Sequence, residues 1–469
     1  MKRPRVVIVG GGITGLTAAY HMKQLFERGA VECILLEGSS RVGGKILTYR
    51  EDNLVLELGA DSVVEHMAAH DLIRNLGVQA EIVPSPADAE HSYILSEKRP
   101  VPVPAPLYFG IPADWRVVWR TPLVSPKGKW RVMLDYLAPR SNHESTDDPE
   151  PSLGAFLRRR LGDEWTTEVC EPLLSAAFAA NLDDLGLSAT YPELSQLETR
   201  YRSVLHGARQ TEFKDRFQRH LLTLRNGMQT VTERLFDELR DFADIRTDSP
   251  VTKIQRFENG QYTVETSVRD TTEVILADAV VVAAPAPVAG QLLCSLSAKA
   301  AKLSAIRYVS TGTVLLGYPA ETVMGFPGTE VFVPPSASAY VTKITVTSRR
   351  WPHLTRDERI IVRVDVGRRG QQDWLGMEDT NLLASIEDNV QRILGISAKP
   401  WFRKLTRWEK GIPQYEVGHL ALVAEVEEHL KVDAPGVFLA GAAYHGITVP
   451  ECVQSGLLAA EKTAAWVKA

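Results

Sequence analysis

Cysteine is scarce in this chain, four residues in 469, and Cys33, Cys170, Cys294 and Cys452 stand far apart with no CxxC pair. That spacing disfavours a zinc site and fits a reducing compartment, so the four read as free thiols. Nowhere does the sequence hold the roughly 18 consecutive apolar residues that a membrane-spanning helix requires. Any membrane contact is therefore peripheral. An excess of one charge is missing too: 53 Lys plus Arg face 58 Asp plus Glu, a net charge of -5. This argues against a general polyanion binder, and nucleic acid is not an expected partner. Met1-Lys2-Arg3-Pro4 passes straight into an apolar strand without the longer apolar run of a signal peptide, which predicts no export and a cytoplasmic location. Short-period repeats are also lacking.

What is present is an ordinary globular composition, 44% hydrophobic and 24% charged, in a chain long enough to bury a large cofactor. Residues 5 to 60 alternate strand, glycine turn, helix and strand: Arg5 to Val9, Ile13 to about Glu27, and Glu32 to Glu37, a βαβ unit with a parallel sheet. From about 97 to 220 the chain is first Pro-rich and then helical, as an inserted lobe would be, and Ser141 to Pro151 reads as a polar surface loop. Met228 to Leu239 predicts a helix, and Val251 to Thr266 a hairpin turning at Glu258-Asn259-Gly260. Residues 310 to 366 alternate apolar and polar in short runs, the pattern of an antiparallel sheet. Gly436 to Gly441 reads as a buried strand, and Val449 to Val467 as a helix.

The chemistry sits in the glycine turns. Gly10-Gly11-Gly12-Ile13-Thr14-Gly15 is a GxGxxG sequence that leaves a strand and opens a helix. Gly10 permits the tight turn, Gly12 lets the backbone approach a pyrophosphate, and Gly15 lets helix and strand pack closely, with the helix N–H groups aimed at the anion. Glu37 ends the second strand 22 residues after Gly15, where an acid hydrogen-bonds a ribose hydroxyl, and Gly38 follows it. Together these predict dinucleotide binding, with NAD and FAD both open. Arg41-Val42-Gly43-Gly44-Lys45 suits a loop lying close under the cofactor with Arg41 or Lys45 facing its phosphates, or else an ordinary Gly-Gly turn with solvated charges. Ala440-Gly441 to Val449 joins a strand, a glycine-rich connection and a helix start. Either the positive end of that helix faces a cofactor ring, or the segment is a βα connection without ligand. His445 alone is more often a surface residue than a base.

The whole chain resembles the Gram-positive-type protoporphyrinogen/coproporphyrinogen oxidases of the flavin amine oxidase superfamily. The resemblance rests on Gly10 to Gly15, Arg41 to Lys45, Gly59-Ala60-Asp61-Ser62, Glu171-Pro172-Leu173-Leu174-Ser175, Thr406-Arg407-Trp408-Glu409, Ile412 to His419 and Gly446 to Pro450. It implies FAD held by Gly10 to Gly15, Glu37, Lys45, Gly59 to Ser62, the backbone of Val251, Trp408 near the ring system, and Ile447, Thr448 and Val449. On residues alone Trp408 is more readily a core aromatic. The implied fold is α/β plus α+β: a discontinuous Rossmann-like FAD domain of glutathione-reductase type (1–80, 222–290 and 405–469), an antiparallel-sheet substrate domain (81–96 and 291–404) and a helical lobe (97–221). The implied reaction is oxygen-using oxidation of a tetrapyrrole, coproporphyrinogen III favoured over protoporphyrinogen IX, with hydrogen peroxide as by-product and hand-off to the next heme-pathway enzyme. No metal and no acid–base side chain is expected.

Two departures stand out. Where relatives carry basic residues, this chain reads Val63-Val64-Glu65-His66-Met67-Ala68-Ala69-His70, and a glycine-bearing stretch expected after Ser175 is Ala176-Ala177-Phe178-Ala179-Ala180-Asn181. An amine oxidase or a carotenoid desaturase would share the cofactor motifs, and a non-catalytic flavoprotein would tolerate the departures. The stretch Pro100 to Trp130, with Tyr108, Phe109, Trp115 and Trp119, is either a membrane-touching surface or an interior packing loop. The substrate slot is expected to be broad and apolar with cations at its mouth.

Overall fold

The computed structural model describes residues 3–26, 29–51, 54–64, 66–86, 91–139, 150–210, 221–268, 271–323, 325–338, 340–354 and 359–468. The expected polar loop 141–151 lies almost wholly outside them, as does residue 65. Apolar strands of the β-branched kind that favour a pleated, two-sided core build a five-stranded sheet, paired throughout in parallel. Its order is Ala243–Arg246, Glu32–Leu36, Arg5–Val9, Ala279–Val282, Val437–Leu439. Strands distant in sequence thus flank the first one. Helices Ile13–Leu25, Gln229–Leu239 and Val449–Lys468 share the hydrophobic cluster on one face of this sheet. On the other face pack a three-stranded meander, Val251–Arg256, Tyr262–Val268 and Thr271–Ala277, and the helix His419–Asp433. Its first turn bends at Asn259, whose side chain accepts from Gln261 N–H at 3.0 Å, with Gly260 at φ 86°.

A second, seven-stranded sheet runs in the order Phe402–Pro413, Tyr308–Pro319, Arg359–Val366, Val341–Val346, Glu330–Phe332, Ser92–Ser96, Arg99–Pro102. All its pairings are antiparallel except that of Glu330–Phe332 with Ser92–Ser96. The edge strand Arg99–Pro102 lies within the segment expected to open the helical lobe, and the strand bearing Trp408 joins this sheet. Val362, Val364 and Val366 point into a core shared with Leu382, Ile386 and Val390 of the helix Asp379–Leu394. Alternation then forces Arg363 and Asp365 onto the opposite face.

Between residues 115 and 210 short helices form a separate cluster around Phe156, Leu157, Trp165 and Leu194. Pro172 lacks the N–H that would continue the preceding helical turn, and a π-turn, Thr166–Cys170, precedes its helix Glu171–Phe178. That helix ends on Ala179 at φ 49°, a left-handed position where glycine is the low-strain choice. No helix among the described residues is long and apolar enough to cross a membrane. All four cysteines are free, three of them buried.

Candidate functional site

The first strand ends at Gly10, whose φ of 109° suits glycine, and a Cβ there would lie 2.7 Å from Ala283 O. A Cβ on Gly15 would sit 1.9 Å from Gly10 O, so helix Ile13–Leu25 can lie this close to the turn only with glycine there. Gly12 caps that helix without a side-chain hydrogen bond, which leaves its first-turn N–H groups open to an anion. Glu37 is half-buried, and its carboxylate accepts from Gly11 N–H at 2.6 Å and from Ser39 N–H and Oγ at 2.8 and 2.7 Å. The acid therefore orders the glycine loop as well as facing where a ribose is expected. Gly38 packs against Pro250, beside the half-buried Val251.

Gly43 N–H donates to Gly11 O at 2.8 Å, so the 41–45 loop lies directly against the first turn. Arg41 does not point outward: its guanidinium donates to Val42 O at 3.1 Å, to Ile46 O at 3.3 Å and to Gly44 O. It shapes the loop instead. Lys45 donates to Gly411 O on the strand that carries Trp408. Its side chain stays exposed although protein surrounds it, and that enclosure pushes the ammonium below its ordinary pKa. A recess has this signature. Gly59 is wedged in the same place: an added Cβ would meet Lys45 O at 1.9 Å and the Trp408 ring at 3.3 Å. Trp408, half-buried, donates from Nε1 to Leu58 O at 2.9 Å. Gly59, Ala60, Asp61 and Ser62 thus follow directly on the contact between Trp408 and Lys45.

The C-terminal glycine segment reaches the same region. Gly441 adopts φ 118°, donates its N–H to Ser455 Oγ at 2.9 Å and faces Thr14 Oγ1, 3.8 Å from where its Cβ would be. Helix Val449–Lys468 presses on Ile13–Leu25 at Gly456, where a Cβ would stand 2.5 Å from Thr14 O. Thr448 and Glu451 form a capping box, the carboxylate taking Thr448 N–H at 2.8 Å and Oγ1 at 2.7 Å. Pro450 has no N–H, so Val449 offers the N–H of this turn that lacks a protein partner among the described residues. Tyr415 fixes the segment between: Oη accepts from Gly446 N–H at 2.7 Å and donates to Ala442 O at 2.8 Å, while its ring stacks on His419 at 4.0 Å. Burial drives His419 down to about 4. His445 is exposed, 3.2 Å from Glu427.

The opposite wall is the second sheet's free face. Arg363 donates to Gly59 O at 2.9 Å and Glu57 O at 3.2 Å, and its Nε meets Asp365 Oδ1 at 2.8 Å. Burial alone would raise the Asp61 pKa, but Arg363, Lys343 and Arg350 hold it down to about 2. Glu57 behaves oppositely, burial lifting it to about 7. Further along, Ser92 Oγ donates to Glu330 Oε1 at 2.7 Å, and Arg350 pairs with Glu330 at 2.6 Å. Half-buried Phe332, Ile447, Leu173, Phe109 and Tyr191 pack against the lobe's core and supply the apolar part. The wall is thus half apolar and half ionic, where the sequence predicted an apolar slot with cations at its mouth. The sequence singles out none of Glu330, Lys343, Arg350, Arg363 and Asp365. Alternation in Arg359–Val366 marks residues 363 and 365 as one-sided, but nothing local says what that side faces.

Gly10 to Gly15, Arg41 to Lys45, Gly59 to Ser62, Trp408 and Gly441 to Val449 are therefore brought together, with Glu37, Gly38 and Val251 adjoining at the strand end. The open helix N-terminus and the glycines whose Cβ positions meet backbone fit a dinucleotide. Residues 13–463 match the family described as flavin containing amine oxidoreductase. Coproporphyrinogen III oxidase of Bacillus subtilis (strain 168) is 32% identical over 465 residues, covering 97% of this chain and 96% of that protein. Protoporphyrinogen oxidase of Homo sapiens is 29% identical over 485 residues, 97% of each. A crystal structure from Exiguobacterium sp. 255-15 superimposes with a TM-score of 0.88 at 32% identity, covering 99% of both chains. A site that two distant glycine loops complete, and a match running almost end to end, agree: the chain belongs to the flavin containing amine oxidoreductases.

Proposed function

We propose that this chain is an FAD-dependent, oxygen-using oxidase that converts a porphyrinogen to the porphyrin, coproporphyrinogen III favoured over protoporphyrinogen IX, with release of hydrogen peroxide. The observation that carries this reading is the meeting of Gly10–Gly15, Gly59–Ser62, Trp408 and Gly441–Val449 around one recess whose wall is part apolar and part ionic. Near-equal-length relatives named for coproporphyrinogen III and protoporphyrinogen support it. In this reading residues 1–80, 222–290 and 405–469 form a discontinuous FAD domain of glutathione-reductase type, 81–96 and 291–404 the substrate domain, and 97–221 the helical lobe.

Gly11, Gly12, Ile13, Thr14 and the open helix turn receive the pyrophosphate, with Lys45 behind them. Glu37 keeps one lone pair, on Oε2, for a ribose hydroxyl, with Gly38 and the Val251 backbone beside the adenine. Arg41 holds Gly43 and Gly44 in place. Trp408 and Gly59 to Ser62 flank the ring system, and Ile447, Thr448 and the Val449 N–H face its electron-rich edge. FAD, when bound, supplies the two-electron acceptor, and dioxygen restores it. The protein's own share is to exclude water with Phe332, Ile447 and Leu173 and to hold the substrate against the ring; no acid or base side chain is assigned.

The test is an aerobic assay of the purified, yellow protein with coproporphyrinogen III, protoporphyrinogen IX, amines and polyenes side by side. Porphyrin fluorescence with peroxide release supports the reading, and turnover of an amine alone overturns it. A second reading concerns the surface of the lobe. Trp115, Trp119, Trp130, Leu134 and Leu137 are exposed beside exposed Arg116, Arg120 and Lys127, a composition suited to peripheral membrane contact. Co-sedimentation with anionic vesicles, reduced in a W119A/W130A variant, tests it.

A further inference from the structure

The cations of the second sheet's free face are unequally occupied. Register pairs Lys343 with Asp365 and Phe332, and Asp365 with Thr313, so these side chains share the face that carries Arg363. Each carboxylate there already has an arginine: Asp365 binds Arg363 Nε at 2.8 Å, and Glu330 binds Arg350 at 2.6 Å. Both guanidinium groups are largely buried. Lys343 differs. Its Nζ approaches Asp365 Oδ2 only to 3.4 Å, it donates no hydrogen bond among the described residues, and its side chain is 23% exposed. Three cations thus share two carboxylates on this wall. Two further carboxyl groups, Asp61 and Glu57, act on these cations with no ion pair inside 4.0 Å among the described residues, so they add field rather than contact.

An ammonium with unused N–H groups beside the apolar Phe332 is costly to leave dry, and a ligand carboxylate is the partner that would satisfy it. We propose that Lys343 is a specificity-determining residue, taking one carboxylate of a polycarboxylate tetrapyrrole that enters the recess, while Asp365 steers its ammonium. This rests on the porphyrinogen reading given above. A free-standing amine or an uncharged polyene offers nothing to this cation. The geometry also gives a division of labour: Arg350 and Arg363 are spent on holding the wall together, and the lysine reads the substrate.

The experiment uses the FAD-loaded protein and the stable porphyrins as probes. Coproporphyrin III, with four carboxylates, and protoporphyrin IX, with two, are titrated into wild type, Lys343→Gln and Lys343→Arg by porphyrin fluorescence, at low and high salt. Lys343→Gln is expected to weaken coproporphyrin III binding about tenfold and to flatten its salt dependence, with Lys343→Arg recovering most of the affinity. In turnover the loss falls on KM more than on kcat. The flavin absorbance and the FAD content of both variants stay those of wild type, which separates this role from a structural one. Wild-type porphyrin affinity and salt dependence in Lys343→Gln would overturn the inference while leaving the oxidase reading intact. A wild-type protein that neither binds nor oxidises any porphyrinogen or porphyrin would sink both.

Discussion

Replacing Tyr415 by phenylalanine removes one oxygen and keeps the ring that stacks on His419. That oxygen serves two backbone groups of the segment before the C-terminal helix, Gly446 N–H at 2.7 Å and Ala442 O at 2.8 Å. Both residues are half-buried, so neither group is fully rescued by water. A buried group left without its hydrogen bond costs about 1–3 kcal/mol, and partial exposure lowers that to about 1–2 kcal/mol each, or about 2–4 kcal/mol for the pair. The segment reaches Val449, the donor proposed to face the flavin, so much of this cost should appear as lost cofactor affinity. At about 1.4 kcal/mol per factor of ten, Y415F is expected to bind FAD at least about tenfold more weakly. The assay is titration of deflavinated protein with FAD, followed by flavin fluorescence, with circular dichroism as the control for folding. A Y415F protein with wild-type FAD affinity and an unchanged melting temperature would refute the claim that this hydroxyl organises the site.

Three more outcomes follow from the same geometry. Gly59→Ala should yield a folded but nearly colourless protein, because its Cβ would fall 1.9 Å from Lys45 O, and the flavin absorbance of the purified variant measures this. Glu57 has a folded pKa raised from 4.5 to about 7, so the stability it confers is present below about pH 4.5 and is lost as pH rises through 7. Over that window the swing is on the order of 3 kcal/mol, and E57Q should melt above wild type at pH 8 but not at pH 5. Equal differences at the two pH values would count against it. His419 has its pKa lowered from 6.5 to about 4, so its contribution holds above 6.5 and disappears as pH falls through 4. Urea unfolding at pH 4.5 and 7 should show H419Q losing less stability on acidification than wild type does.

Local chemistry explains which parts of this molecule were readable in advance. The GxGxxG turn, its helix and Glu37 depend on residues within a few dozen positions, and the sequence displays them directly. The Asn259-Gly260 turn is legible for the same reason. Arg41 stayed open between readings, since a basic residue beside two glycines looks the same whether it faces a phosphate or its own loop's carbonyls. Trp408 is only an aromatic in a strand until the strand's neighbours are known. The motif Gln414-Tyr415 with His419 stood out as a pattern, but its physical work, pinning Gly446 and Ala442, needs partners some 30 positions downstream. The ionic wall is the extreme case. Lys343, Asp365, Glu330 and Arg350 meet through strand register and a crossing of sheets, and the sequence writes neither down.

The contact between Thr14 and Gly456 joins helices whose residues are separated by 442 positions. During synthesis the glycine loop at residues 10–15 is made first, yet the partner that shuts it emerges only 442 residues later. Ribosome-bound intermediates therefore carry a half-built cradle, and pigment capture becomes a late checkpoint that reports whether the whole polypeptide has closed.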